Sequence, residues 1–181
     1  MTVKVLNPGL LTTIQDLGRY GSQKYGVIVS GAMDQYSLRV ANLLVGNSEN
    51  EGALEITLLG TSLQFEKDAL IAITGGDLLA KIDGEKAPTW RPLFVRKGSV
   101  LQFKSPFKGC RAYLAFAGGI DVPEVMGSKS TYLRAEIGGY KGRALQKEDV
   151  LEFGQMNDFS TSLFRKLEKS NENFTWSVNY H

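Results

Sequence analysis

Three stretches of the chain combine residue types that do chemistry. The first is Thr12–Gly21, TTIQDLGRYG, which places Gln15, Asp16 and Arg19 together around Gly18. Glycine tolerates positive φ, so the chain can turn there. Arg19 can then present its planar fork to a carboxylate or phosphate. The same spacing suits an internal Asp16–Arg19 ion pair that only holds the turn. The second stretch is Val29–Asp34, VSGAMD. Ser30 and Gly31 lead into a helix start, whose free amides and dipole suit an anion. Asp34, acting as the N-cap, would occupy those amides itself. No Gly-Lys-Ser/Thr is present, so this is not a P-loop. The third is Gly118–Arg143, which holds six of the 20 glycines. Ser128, Ser130 and Thr131 offer hydroxyls there, and Lys129, Arg134 and Arg143 offer charge. Such a loop can hold a carboxylate or phosphate, wrap a partner subunit, or serve the architecture alone.

Several chemistries are excluded within this chain. It has one histidine, His181, and one cysteine, Cys110. A Ser-His-Asp triad, a Cys-His dyad, a histidine- or cysteine-based metal site and an intramolecular disulfide therefore cannot form. No metal ligand set is expected. Cys110 itself reads as a small buried hydrophobe in a strand. The 21 basic against 19 acidic residues leave a net charge of +2. That is too small an excess to indicate nucleic acid or an anionic membrane as partner. Aromatic residues are dispersed and show no basic interleaving of the kind that binds RNA. No apolar run reaches the length of a membrane span, and residues 1–16 lack a signal-peptide layout. A cytoplasmic protein is the expected result.

The elements that must position these residues are mostly strands. The 181 residues, 43% of them apolar, suit one domain of about 150 residues with some chain left over. Short runs such as Thr2–Leu6, Leu11–Gln15, Leu54–Leu58, Ser62–Phe65, Leu70–Thr74, Leu93–Arg96, Val100–Phe103, Arg111–Ala117 and Val150–Phe153 alternate with Gly- and Asp-rich turns. Leu78–Ile82 and Glu85–Thr89 flank Asp83-Gly84, a hairpin signal for a tight turn. Strands at this spacing predict a closed or folded-over, mainly β architecture. One segment differs. Residues 34–45, DQYSLRVANLLV, carry Leu38, Ala41 and Val45 on one helical face. Asp34 is the expected N-cap and Gly46 the left-handed residue beyond the C-terminus. Phe159–Lys169 reads as a possible short second helix.

The segments quoted above resemble one family closely. Pro8–Asn47, Ala53–Gly60 (ALEITLLG), Ile73–Asp77 (ITGGD), Arg111–Leu145 and Lys147–Leu151 (KEDVL) are similar, in order, to the KipA family. That family is also called the 5-oxoprolinase C subunit, the biotin-dependent carboxyltransferase family, or allophanate hydrolase subunit 2. The resemblance covers residues 3 to 154 and is nearest to Bacillus-type members. It implies a cyclophilin-like β-barrel with one principal helix at about 34–45. It also implies that residues 1–157 form the first domain and 158–181 a linker or the start of a second.

The resemblance further implies a function in a complex. Together with the KipI-like B subunit of 5-oxoprolinase and its LamB/YcsF-type A subunit, the chain would hydrolyse 5-oxoproline to glutamate. ATP with Mg would act at the level of the complex. Bacillus-type relatives also counteract KipI, the inhibitor of the sporulation kinase KinA. A third reading is a carboxyltransferase-type domain, with biotin arriving on another chain. Lactam opening needs carbonyl activation and attack by water, and its intermediates are anionic. Arg19, Arg134 and Arg143 are then sensible clamps, and Asp16 or Asp34 a base or metal holder. The expected catalytic residues are Asp16, Arg19 and Asp34. Gln15, Ser30, Ser128, Ser130 and Arg143 are expected to bind substrate. They are expected as two clusters, Gln15, Asp16, Arg19, Ser30 and Asp34 in one, and Ser128, Ser130 and Arg143 in the other.

Overall fold

A computed structural model describes residues 2–170. Among these residues eleven strands appear in chain order. They are β1 (Thr2–Pro8), β2 (Leu11–Gln15), β3 (Ala53–Thr57), β4 (Thr61–Phe65), β5 (Ala69–Asp77), β6 (Lys81–Ile82), β7 (Glu85–Lys86), β8 (Pro92–Val95), β9 (Val100–Gln102), β10 (Lys108–Phe116) and β11 (Val150–Glu152). Two helices accompany them, α1 (Gln35–Leu44) and α2 (Asp158–Lys169). The strands form two antiparallel sheets. One runs β11-β1-β4-β9-β6-β7 and the other β2-β3-β10-β5-β8. The mainly β expectation holds. The Asp83-Gly84 hairpin also forms, with both residues at positive φ, as a tight primed turn requires.

Alternation along the strands sorts the five-stranded sheet into two faces. Ile14, Leu54, Leu114 and Ile73 lie across β2, β3, β10 and β5 and point into the core between the sheets. Ala53, Ala115 and Ala72 point the other way, where small side chains let α1 lie close. α1 seats Leu38, Ala41 and Val45 on that outer face. Its N-cap is Asp34, which accepts from the Ser37 amide at 3.0 Å. α2 docks on the same side through Leu163, Phe164 and Leu167. Phe164 meets Phe94 of β8 edge-on at 5.1 Å. Its start is fixed by Asn157, whose side chain accepts from Ser160 N and donates to Gly46 O.

One local expectation is revised. Cys110 is exposed rather than buried. The β5–β10 register shifts between Lys108 and Ala112, and this irregularity takes residues 109–111 out of pairing with β5. The expected second helix forms, over Asp158–Lys169, one residue longer than Phe159–Lys169.

Candidate functional site

Segment 16–19 turns back beside segment 29–32. Arg19 N donates to Val29 O and Ala32 N to Asp16 O. The approach is close enough to demand glycine. A Cβ at Gly31, whose φ is +91°, would lie 2.9 Å from Gly18 Cα. Ser30, just before it, is itself held at φ 56°. That region is sparsely used by residues other than glycine. Gln15 braces the turn, since its Oε1 accepts from Gly31 N at 3.2 Å.

The 118–143 loop lies against the same turn. Thr131 N and Oγ1 both donate to Ile14 O, and Gln15 Nε2 donates to Thr131 O. Asp16 is buried, and this loop supplies three of the four donors to its carboxylate. Its Oδ1 accepts from Gly18 N and Ser128 Oγ, each at 2.8 Å, and from Ser130 Oγ; Oδ2 accepts from Lys129 N at 2.7 Å. Arg19 is completely buried. Its Nε donates to Val125 O at 2.8 Å and its Nη2 to Ser130 O at 2.9 Å. Its Nη1 is buried with no partner among the described residues. The expected alternative of an Asp16–Arg19 ion pair is not what forms. The loop supplies better placed donors to the acid and carbonyls to the base.

The two expected clusters are therefore redrawn. Ser128 and Ser130 join Gln15, Asp16 and Arg19 in one buried network. Asp34 is exposed beside it, with its carboxylate engaged by Ser37 N and Oγ. Arg143 goes elsewhere. It forms a two-pronged pair with Asp149, Nη1 to Oδ2 at 2.7 Å and Nη2 to Oδ1 at 2.8 Å. Burial pushes the Asp149 carboxyl up, but the Arg143 fork and the Gln146 amide outweigh it and hold the group below the usual carboxylate range. A depressed carboxyl stabilises the fold above its unfolded pKa, and that contribution disappears as pH falls through the folded pKa. Arg143→Gln is accordingly expected to lose about 1–2 kcal/mol at neutral pH. The gap between parent and variant should close below about pH 4, read as urea midpoints against pH. A gap that stays constant down to about pH 2 would remove the pair as its cause.

A second polar group was missed by reading the sequence. On the outer face of the five-stranded sheet, Thr13, Glu55, Tyr113 and Thr74 line up across β2, β3, β10 and β5. Thr57 and Arg111 form the neighbouring row. Tyr113 is fully buried; its hydroxyl donates to Glu55 Oε2 at 2.7 Å and accepts from Asp34 N at 2.8 Å. Burial drives that hydroxyl far above the ordinary phenol range. The Asp34 amide opposes the rise, and the Glu55 and Asp34 charges add to it. Glu55 Oε2 also accepts from Met33 N at 2.9 Å. Glu55 thus ties the Ser30–Asp34 turn to the sheet. Arg111 Nε lies 3.4 Å from Glu55 Oε1 without forming a hydrogen bond. The signal was available: two polar residues two apart in RAYLAF, and one acid inside ALEIT.

A carboxyltransferase-domain family model, described as subdomain A and B, matches residues 25–179. The chain belongs to the carboxyltransferase domain family. Among curated members, the 5-oxoprolinase C subunit of Escherichia coli is 46% identical over 153 residues, covering 84% of this chain and 49% of that protein. Urea amidolyase of Saccharomyces cerevisiae is 47% identical over 150 residues, covering 82% of this chain and 8% of the larger protein. The crystal structure of Kluyveromyces lactis urea carboxylase superposes with a TM-score of 0.83 at 44% identity, over 85% of this chain and 14% of that one. The chain thus spans about half the length of the oxoprolinase relative and a small part of the urea enzymes. Among the described residues, no helix of this carboxyltransferase domain is long and apolar enough to cross a membrane.

Proposed function

We propose that this chain serves a cytoplasmic 5-oxoprolinase as its C subunit. It would work with a KipI-like B subunit and a LamB/YcsF-type A subunit to open 5-oxoproline to glutamate. The observation that carries this reading is the 46% identity to the Escherichia coli 5-oxoprolinase component across 84% of the chain. Opening the lactam breaks its C–N bond and adds water across it. The buried Asp16, Arg19, Ser128 and Ser130 network positions the 118–143 loop for this task. Ser30 and Asp34 lie where that framework meets the outside. The described residues hold no ready-made metal cage. Among the described residues no three His, Cys, Asp or Glu side chains converge, and the Asp16 carboxylate is already taken up by the loop. ATP acts at the level of the complex in this reading.

Co-expression of the three subunits tests the assignment. 5-Oxoproline-dependent glutamate formation should require this chain, and Asp34→Ala should lower it by about tenfold or more, the order of one charged hydrogen-bonding group. Undiminished turnover without the chain would remove the reading. A carboxyltransferase role is the second reading, favoured by the family description and by the 47% identity to urea amidolyase. Carboxyl transfer from a biotinylated carrier, measured in the same preparations, separates the two.

A further inference from the structure

We infer that Arg111 and Glu55, side by side on the outer sheet face next to the Ser30–Asp34 turn, bind a carboxylate whose α-carbon carries an N–H. The pair is asymmetric in a way that leaves capacity for a ligand. Glu55 Oε2 is taken up by Met33 N and the Tyr113 hydroxyl. Its Oε1 accepts no hydrogen bond among the described residues, and Arg111 Nε at 3.4 Å is out of line with it. Charge, rather than a hydrogen bond, thus holds the guanidinium against the acid. Its two Nη groups carry no hydrogen bond among the described residues, and the side chain is 33% exposed against 12% for Glu55. An outward guanidinium fork matches a carboxylate in two-pronged geometry. A spare carboxylate oxygen beside it accepts an N–H.

The arrangement is also rigid. Glu55 and Tyr113 face each other across paired strands, and Tyr113 is anchored to the Asp34 amide. Thr57 Oγ1, in the same cross-strand row as Arg111, is a further buried group with no partner among the described residues. A ligand must therefore present its carboxylate and its N–H on neighbouring atoms. L-5-Oxoproline does so through its lactam N–H, and L-glutamate through its α-ammonium. The inference deepens the oxoprolinase reading and rests on it for the choice of these probes.

Titration of the ¹⁵N-labelled full chain with both compounds, followed by NMR, is the test. Both should shift the Arg111 Nε–Hε signal and the Met33 and Asp34 amides. Arg111→Gln should weaken binding by about tenfold or more, as loss of a charged two-pronged contact does. Glu55→Gln, which keeps an acceptor but loses the charge, should weaken glutamate more than 5-oxoproline. 2-Pyrrolidinone lacks the carboxylate and tetrahydrofuran-2-carboxylate lacks the N–H, so each should bind about tenfold or more weakly. Arg111→Lys, with a native-like spectrum, guards against misfolding as the cause; it should bind more weakly than the parent. Equal affinity of the Arg111 variants and the parent, or of the stripped probes, overturns the site. The two ideas fail separately. A complex that does not turn over 5-oxoproline while the titration holds removes only the oxoprolinase reading. Turnover with an unchanged KM in Arg111→Gln removes only the site.

Discussion

Asp16→Ala is expected to detach residues 125–139 from the turn they cover and to destabilise the domain by about 3 kcal/mol or more. The carboxylate is only 2% exposed, and it accepts from Gly18 N, Ser128 Oγ, Lys129 N and Ser130 Oγ. Alanine leaves those donors buried without an acceptor, at about 1–3 kcal/mol each before water enters. Water does enter, because Met126 and Gly127 beside Ser128 are exposed. The total is therefore below the sum of the parts. Asp16→Asn keeps one oxygen but turns an N–H toward the Lys129 amide, which also donates. Serine hydroxyls rotate and can accept from it, so Asn should fall between parent and Ala. Urea unfolding gives the stabilities. Hydrogen exchange at Lys129 and Thr131 shows whether the loop opens below the global transition. An Ala variant within about 0.5 kcal/mol of the parent, with both amides still protected, would mean that the loop is held by something else.

The framework of this site was legible in the sequence because it is made from local chemistry. Gly18 and Gly31 mark turns that only glycine makes easily. Asp34 and Gly46 bracket a helix whose apolar face repeats correctly. Ser128 and Ser130 stood out as hydroxyls in a glycine-rich loop. What spacing could not show was the direction of each side chain. Asp16 and Arg19, three apart, looked like a pair. In the fold they diverge to opposite polarities of a loop more than a hundred residues away, the acid to its N–H and O–H groups and the base to its carbonyls. Ser128 and Arg143 shared a segment but separate, because Asp149 in the approach to β11 competes for the arginine. Glu55, Arg111 and Tyr113 escaped notice for the converse reason. They sit in strand-like runs, where an apolar majority points to a core, and only the β3–β10 register brings them together. A polar residue at every second position was the mark of an outward face. Its partner on another strand is set by topology, which no local pattern carries.

Arg19→Ala should be at least as damaging as Asp16→Ala, at about 3–5 kcal/mol, and the two losses should not add. Arg19 is the largest of the completely buried side chains. Truncation opens a cavity and strands the carbonyls of Val125 and Ser130, which the guanidinium now satisfies. Arg19→Met fills most of the volume without the donors. The difference between Met and Ala isolates packing, and the difference between Met and parent isolates the hydrogen bonds. Lysine has one ammonium on a flexible stem and cannot reproduce the planar fork that spans both carbonyls. It should still lose about 2 kcal/mol. Arg19 and Asp16 do not hydrogen-bond to each other, so a direct pair energy is not expected between them. Both hold Ser130, Asp16 through its hydroxyl and Arg19 through its carbonyl. Once either is gone the loop has already lifted, and removing the second costs less. A double-mutant cycle should therefore give a coupling of about 1–3 kcal/mol carried by the loop. Additivity to within about 0.5 kcal/mol would show that each residue holds its own part of the fold independently. It would also break the argument that the two act on one shared segment.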